Sequence, residues 1–247
     1  KLRQRLAAQG DGLRGEAFRD SRGLLRLELT GPACAHLSPG EEAVELSALL
    51  GVPLRLEEQG AESLSLVQQE PLMAVAGIAA RKKDGETVSG DAGTYFKRGD
   101  GTLYVLLCDG MGSGPQANRE SSLALRLLEQ FLQAGVETEH ALVTLNSALA
   151  LRGEEAGGFT TVDLLQVDLF TGDGVVFKLG AAPTYVRKGG TVRRISGASL
   201  PAGLAAEERS APDRFPIHLS PGDCVMLTSE VSGMLLKEVM QKSGLTR

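Results

Sequence analysis

Tryptophan is absent from this chain, and aromatic residues make up only 4% of it. Platforms that stack single-stranded bases need aromatic faces, so that class of function is disfavoured at once. No apolar run approaches the roughly 18 residues of a membrane-spanning helix. The 3 cysteines, Cys34, Cys108 and Cys224, lie far apart and form no Cys-x-x-Cys motif. Neither a disulfide framework nor a zinc knuckle is therefore supported, and a reducing compartment is expected. The 3 histidines occur in unrelated contexts, and nothing around them suggests a Ser–His–Asp or Cys–His hydrolase. An excess of cations is missing too: 26 Lys and Arg against 31 Asp and Glu give a formal charge of −5. Such a balance offers no electrostatic footprint for nucleic acid or for an anionic membrane. No signal-peptide pattern is present and the first residue is Lys1, so the 247 residues are read as a piece of something longer.

What is present is ordinary globular material, 42% hydrophobic and 23% charged. Its length suits one large domain with a smaller flanking module. Residues 1–70 read as a small α+β regulatory or linker module. Leu13–Phe18 and Leu24–Thr30 are strand-like and are joined by Asp20-Ser21-Arg22-Gly23, which has hairpin chemistry. Ser38 stands as a candidate cap of a helix running to about Leu50, and strands follow near Leu54–Glu57 and Leu64–Gln68. Residues 71–247 form the main domain. It is expected to open with a small-residue strand at Leu72–Ala80, then strands Gly90–Lys97 and Leu103–Cys108 around a turn at Arg98–Gly101. Two helices are expected at Ala117–Gln133 and about Thr138–Arg152. After them the period changes to two, giving strands Thr161–Leu169, Gly174–Leu179, Thr184–Arg187, Thr191–Ile195, Phe215–Leu219 and Asp223–Thr228, with a closing helix Glu230–Gln241. Hairpin-linked strands with two adjacent amphipathic helices argue antiparallel sheets covered by helices, not a doubly wound parallel sheet.

The chemistry concentrates in Cys108-Asp109-Gly110-Met111-Gly112-Ser113-Gly114. Asp109 ends a buried strand just before a flexible loop, where a carboxylate is costly unless a cation accompanies it. Gly110 lets a backbone carbonyl approach a ligand. The bland alternative is a strand–turn–helix joint with Asp109 as a helix cap. The loop fails both phosphate-binding patterns, since Pro115 and Gln116 stand where a P-loop needs Lys and Ser/Thr, and Pro115 replaces the last glycine of the dinucleotide fingerprint. A second acid, Asp91, begins the preceding strand. Counting back from the turn near residue 100 brings Asp91 and Asp109 to the same end of adjacent strands, where two carboxylates repel without a cation. Hard oxygen donors suit magnesium or manganese, not zinc.

Ser-Gly-Asp at 89–91 followed by Asp-Gly-Met-Gly-x-Gly at 109–114 resembles the phosphatase domain of the stage II sporulation protein E group. That group sits within the PPM (type 2C) family of metal-dependent serine/threonine phosphatases. Leu145–Arg152, Thr160-Thr161-Val162-Asp163-Leu164, Gly180-Ala181-Ala182-Pro183 and Leu200-Pro201-Ala202-Gly203-Leu204 extend the resemblance in the same order. It implies an α+β, αββα sandwich of two antiparallel β-sheets flanked by helices, preceded by the small α+β module. It implies a centre of two Mn2+ or Mg2+ ions, with Asp109 bridging them, Gly110 offering its carbonyl and Asp91 at the second ion. The resemblance makes Asp109 and Asp91 the expected catalytic acids, with a water activated by the ions attacking the phosphorus of a phosphoserine. The partner implied is a phosphorylated anti-anti-sigma-factor-like protein. A cytoplasmic location is expected, with the parent chain either free or membrane-anchored, and a homodimer is admitted.

The chain departs from the family pattern at Ser229-Glu230-Val231, where Ser-Asp-Gly is usual. Glu230 is either a further metal ligand reaching about 1.5 Å farther than Asp or the first-turn acid of the closing helix. The family's last metal-binding Asp has no counterpart before Arg247. A fragment that holds its metals weakly is therefore expected, and the alternative function is a PPM-fold binding or scaffold domain in a signalling pathway.

Overall fold

The computed structural model describes residues 12–82, 84–151, 159–204 and 211–229. The chain divides into two compact units after Pro71.

In the first unit, β1 (Arg14–Arg19), β2 (Leu25–Thr30), β3 (Leu54–Gln59) and β4 (Ser63–Gln68) form an antiparallel sheet in the order β1-β2-β4-β3. The first hairpin closes as its turn residues dictate: Asp20 Oδ1 accepts from the Arg22 and Leu24 amides. Alternation in β2 and β4 sends Leu27, Leu29, Leu64 and Leu66 to one face, where they are buried with Leu46 of α1 (Pro39–Leu50). Ser38 occupies the cap position of α1, but its side chain makes no capping hydrogen bond. Acidic Glu41 and Glu42 in the first turn complement the helix dipole instead. A short 3-10 turn, Pro32–His36, was not expected from the sequence.

The second unit is a sandwich. β5 (Asp91–Lys97), β6 (Thr102–Gly110), β7 (Thr160–Asp168), β8 (Asp173–Leu179) and β11 (Asp213–His218) make a five-stranded sheet ordered β11-β8-β7-β6-β5. β9 (Thr184–Lys188), β10 (Thr191–Ile195) and β12 (Cys224–Met226) make a three-stranded one ordered β10-β9-β12. All the ladders are antiparallel. Leu165, Val167 and Val176 of the first sheet pack on Val186 and Ile195 of the second. On the other face of the larger sheet lie α2 (Gly114–Gln133) and α3 (Thr138–Ala150), whose Leu128, Leu132, Leu142 and Leu145 bury against Tyr104, Leu106, Val162 and Leu164. The two-residue period decides which side of each strand meets which layer.

Leu72–Ala80 is not a strand: it carries no regular structure, and Met73 and Val75 are each 91% exposed. Its alanines and glycine offer too little apolar surface to offset the ordering of a sheet edge. Its Leu72 amide donates to the Leu169 carbonyl, and Ile78 lies near Gly93. α3 ends at Ala150, two residues before its expected end; Arg152, the closing helix and the polar stretch at the N-terminus lie outside the described residues.

Candidate metal centre

β5 and β6 pair so that Asp91 and Asp109 are direct partners on one rung. On β6, Thr102, Tyr104, Leu106, Cys108 and Gly110 are buried on the helix side, which leaves Asp109 on the face turned toward the smaller sheet. Directly opposed residues of antiparallel strands place their Cβ atoms about 5 Å apart, so two carboxylates here share one small volume.

Two elements hold the Asp91 end. From α2, Asn118 Nδ2 donates to the Ser89 carbonyl at 2.9 Å, and Ser121 Oγ donates to the Gly90 carbonyl at 2.6 Å. From the segment after β12, Ser229 Oγ donates to Asp91 Oδ2 at 2.8 Å. On the Asp109 side, Thr160 Oγ1 donates to the Asp109 carbonyl at 2.7 Å. Gly110 has a second reason to be glycine: a Cβ there would lie 2.0 Å from the Ala117 carbonyl oxygen. The strand and α2 touch backbone to backbone at this point. The loop that follows is closed by Ser113 Oγ donating to Glu86 Oε1 at 2.7 Å. Ser113, not Asp109, holds the cap position of α2.

Segments far apart in sequence meet around this end of the sandwich. Gly180 abuts Pro201, the Gly203 amide donates to Asn146 Oδ1, and Thr160 pairs with Ala202. Cys108, next to Asp109, points into the helix-side core, and burial pushes its thiol up to about 12, aided by the charges of Asp163 and Asp109. It stays protonated at neutral pH and is no nucleophile.

Asp91 and Asp109 fit a hard divalent cation by donor chemistry: both are oxygen donors, opposed on one rung and only partly exposed. Among the described residues, no group of three His, Cys, Asp or Glu side chains converges anywhere. Glu230 lies outside the described residues, so its place relative to the pair is not described. The sequence reading gave no role at the centre to Asn118, Ser121, Thr160 or Ser229. The signal for two of them was the i, i+3 spacing of polar Asn118 and Ser121 on a helix leaving directly from the acid loop.

The family description Stage II sporulation protein E (SpoIIE) matches residues 99–230, just over half of the chain. The chain belongs to this family. Asp109 and Gly110 fall inside the matched stretch and Asp91 just before it. The stage II sporulation protein E of Priestia megaterium is 37% identical over 131 residues, 53% of this chain and 22% of that protein. The chain thus spans about a fifth of the length of this curated relative. The solved PP2C phosphatase domain with a fragment of the regulatory domain of Bacillus subtilis SpoIIE superposes with a TM-score of 0.69. That likeness covers 98% of this chain and 76% of the other at 23% identity, and it establishes the PP2C fold. RsbX, solved in complex with magnesium, gives a TM-score of 0.53 at 18% identity, over 76% of this chain and 84% of its own. The SpoIIE-type fold accounts for the αββα expectation. The described residues show the two sheets and one helical layer.

Proposed function

We propose that this SpoIIE-family chain is the catalytic portion of a metal-dependent phosphoprotein phosphatase that hydrolyses a phosphoserine on a partner protein. The observation that carries the reading is the Asp91–Asp109 rung. Two opposed carboxylates are repulsive by themselves and become favourable with a divalent cation between them. Asp109, Asp91 and the Gly110 carbonyl are the proposed holders of two Mn2+ or Mg2+ ions, and Glu230 is assigned to the same set on sequence alone. When bound, such ions polarise a phosphoryl oxygen and lower the pKa of a water. The chain's own groups do the rest. Asn118 and Ser121 fix the backbone before Asp91, Ser229 orients its carboxylate, and Thr160 holds the Asp109 backbone. With Cys108 buried and protonated, the described centre offers no thiolate for a covalent phosphoenzyme. The partner proposed is a phosphorylated anti-anti-sigma-factor-like protein, in keeping with the family. Among the described residues no helix is long and apolar enough to cross a membrane.

The test is turnover of a chromogenic phosphate ester and of a phosphoserine protein by the 247-residue chain. Manganese titration, chelation and add-back give the comparison. Chelator-sensitive turnover restored by Mn2+ is the expected outcome. Turnover indifferent to chelation would remove the reading. A chain that binds a partner yet hydrolyses nothing at saturating Mn2+ would be the scaffold instead.

A further inference from the structure

Beneath the acid pair lies a buried polar cluster that the proposed chemistry does not use. Asp163 of β7 and Lys178 of β8 are direct ladder partners, with side chains 1% and 0% exposed. Lys178 Nζ is 2.9 Å from Asp163 Oδ2 and donates to the Ala182 carbonyl at 2.6 Å. Thr184 Oγ1, at the start of β9 in the other sheet, donates to the same Asp163 Oδ2 at 2.5 Å. Asp163 Oδ1 is buried and has no hydrogen-bond partner among the described residues. A buried ion pair of this kind is a poor way to gain stability, since apolar side chains of similar volume often do as well or better.

Its position suggests another use. The Ala182–Thr184 segment gripped by the cluster is gripped from its other side by Thr228, whose Oγ1 donates to the Pro183 carbonyl at 3.1 Å. The next residue, Ser229, donates to Asp91 Oδ2 at 2.8 Å. On β7 itself, Asp163 is two residues from Thr161, the rung partner of Asp109. Polar contacts joined by two peptide links, Pro183–Thr184 and Thr228–Ser229, thus lead from Lys178 and Asp163 to Asp91.

We propose that Asp163, Lys178 and Thr184 are positioning residues for the candidate metal centre. They fix the start of β9 against β7, and through Thr228 and Ser229 they set the Asp91 carboxylate for a cation. The inference rests on the metal-centre reading of Asp91 and Asp109. A merely structural cluster is replaceable by apolar groups without consequence for metal, whereas a positioning one is not.

The experiment uses the whole 247-residue chain, with Mn2+ binding read by the electron paramagnetic resonance of free ion and folding read by thermal melting. Thr184→Val removes one donor at nearly constant shape, and Thr184→Ser restores it. The pair Asp163→Leu with Lys178→Met replaces the ions by apolar groups. Thr184→Val and the double variant should weaken Mn2+ binding about 10-fold, the scale of other outer-shell losses, with melting temperatures near wild type. Thr184→Ser should return to within about 2-fold of wild type. Unchanged Mn2+ affinity in folded Thr184→Val overturns the positioning role and leaves the metal reading intact. It decides the matter even if the double variant fails to fold. Wild-type chain that binds no Mn2+ overturns the metal reading and the positioning role with it.

Discussion

Asp91 and Asp109 face each other on a single rung of the β5–β6 ladder, and Ser229 reaches across from the smaller sheet to the first of them. This pairing makes Asp109→Asn the most informative substitution. It removes one charge at constant size, so Mn2+ binding and Mn2+-dependent hydrolysis should both fall by at least about 100-fold. The metal-free fold should melt no lower than wild type, because like-charge repulsion on the rung is relieved. A manganese titration beside a melt in chelator measures both. Retained Mn2+-dependent turnover would move the centre elsewhere.

Gly110→Ala tests the backbone contact between β6 and α2. The added Cβ would sit 2.0 Å from the Ala117 carbonyl oxygen and 3.0 Å from its Cα, so main chain must move. Overpacking of this kind costs about 1–3 kcal/mol. A lower melting temperature together with weaker Mn2+ binding is the expected result. A variant that melts like wild type would show that α2 yields freely there.

The approach of Asp91 to Asp109 was legible in the sequence, because a short hairpin joins β5 and β6. With Arg98-Gly99-Asp100-Gly101 as the turn, counting outward brings Asp91 and Asp109 to the same end of adjacent strands, and the pairing of Lys97 with Leu103 then sets them on one rung. The strands themselves were legible from period-two alternation, which β6 keeps along its whole length, whereas β7 is buried on both faces through its middle. Leu72–Ala80 misled because apolar character alone does not show which segment a sheet takes up: its larger side chains Met73 and Val75 stay exposed. The contacts of Ser229, Thr160 and Ser121 were not legible. They join positions 138, 51 and 31 residues apart, and a hydroxyl in a sequence gives no sign of which distant carbonyl or carboxylate it will meet. The use of Asp163 was hidden for a different reason: it sat inside a family motif, where its charge looked like part of a strand.

The β5–β6 turn carries a pH signature. Burial raises the Asp100 carboxyl, but hydrogen bonds from the Arg98 side chain and from the Thr102 backbone and side chain outweigh it and bring the pKa down to about 2. A carboxylate depressed in the folded state adds stability that is complete above the ordinary aspartate range near pH 4. That contribution fades as the pH falls from there through about 2. Asp100→Asn should therefore destabilise the chain at pH 7 by about 1 kcal/mol, the scale of a partly screened charged hydrogen bond. The difference from wild type should shrink steadily below pH 4. Denaturant melts of both proteins across that range provide the check, and a difference independent of pH would assign the loss to the neutral contacts alone.

Lys178→Met should be the most damaging single change in the core of the sandwich, and its cost should depend on pH. Removing the ammonium leaves Asp163 buried with Thr184 as its remaining donor among the described residues. Breaking a buried pair in this way costs about 3–5 kcal/mol. Burial already holds the Asp163 carboxyl above its ordinary value even with Lys178 opposing that shift, so losing the lysine raises it further. An acid whose pKa is raised on folding favours the folded state most below its unfolded value. That advantage is lost as the pH climbs from near 4 toward the folded pKa. The variant should thus lie close to wild type in acid and fall away toward neutral pH. Adding Asp163→Asn should flatten the dependence, since no ionisable group then remains at the centre of the cluster. Denaturant melts of the single and double variants between pH 4 and 8 read this directly. A Lys178→Met deficit that is the same at both ends of that range would mean that Asp163 keeps its charge by drawing on a donor other than Lys178.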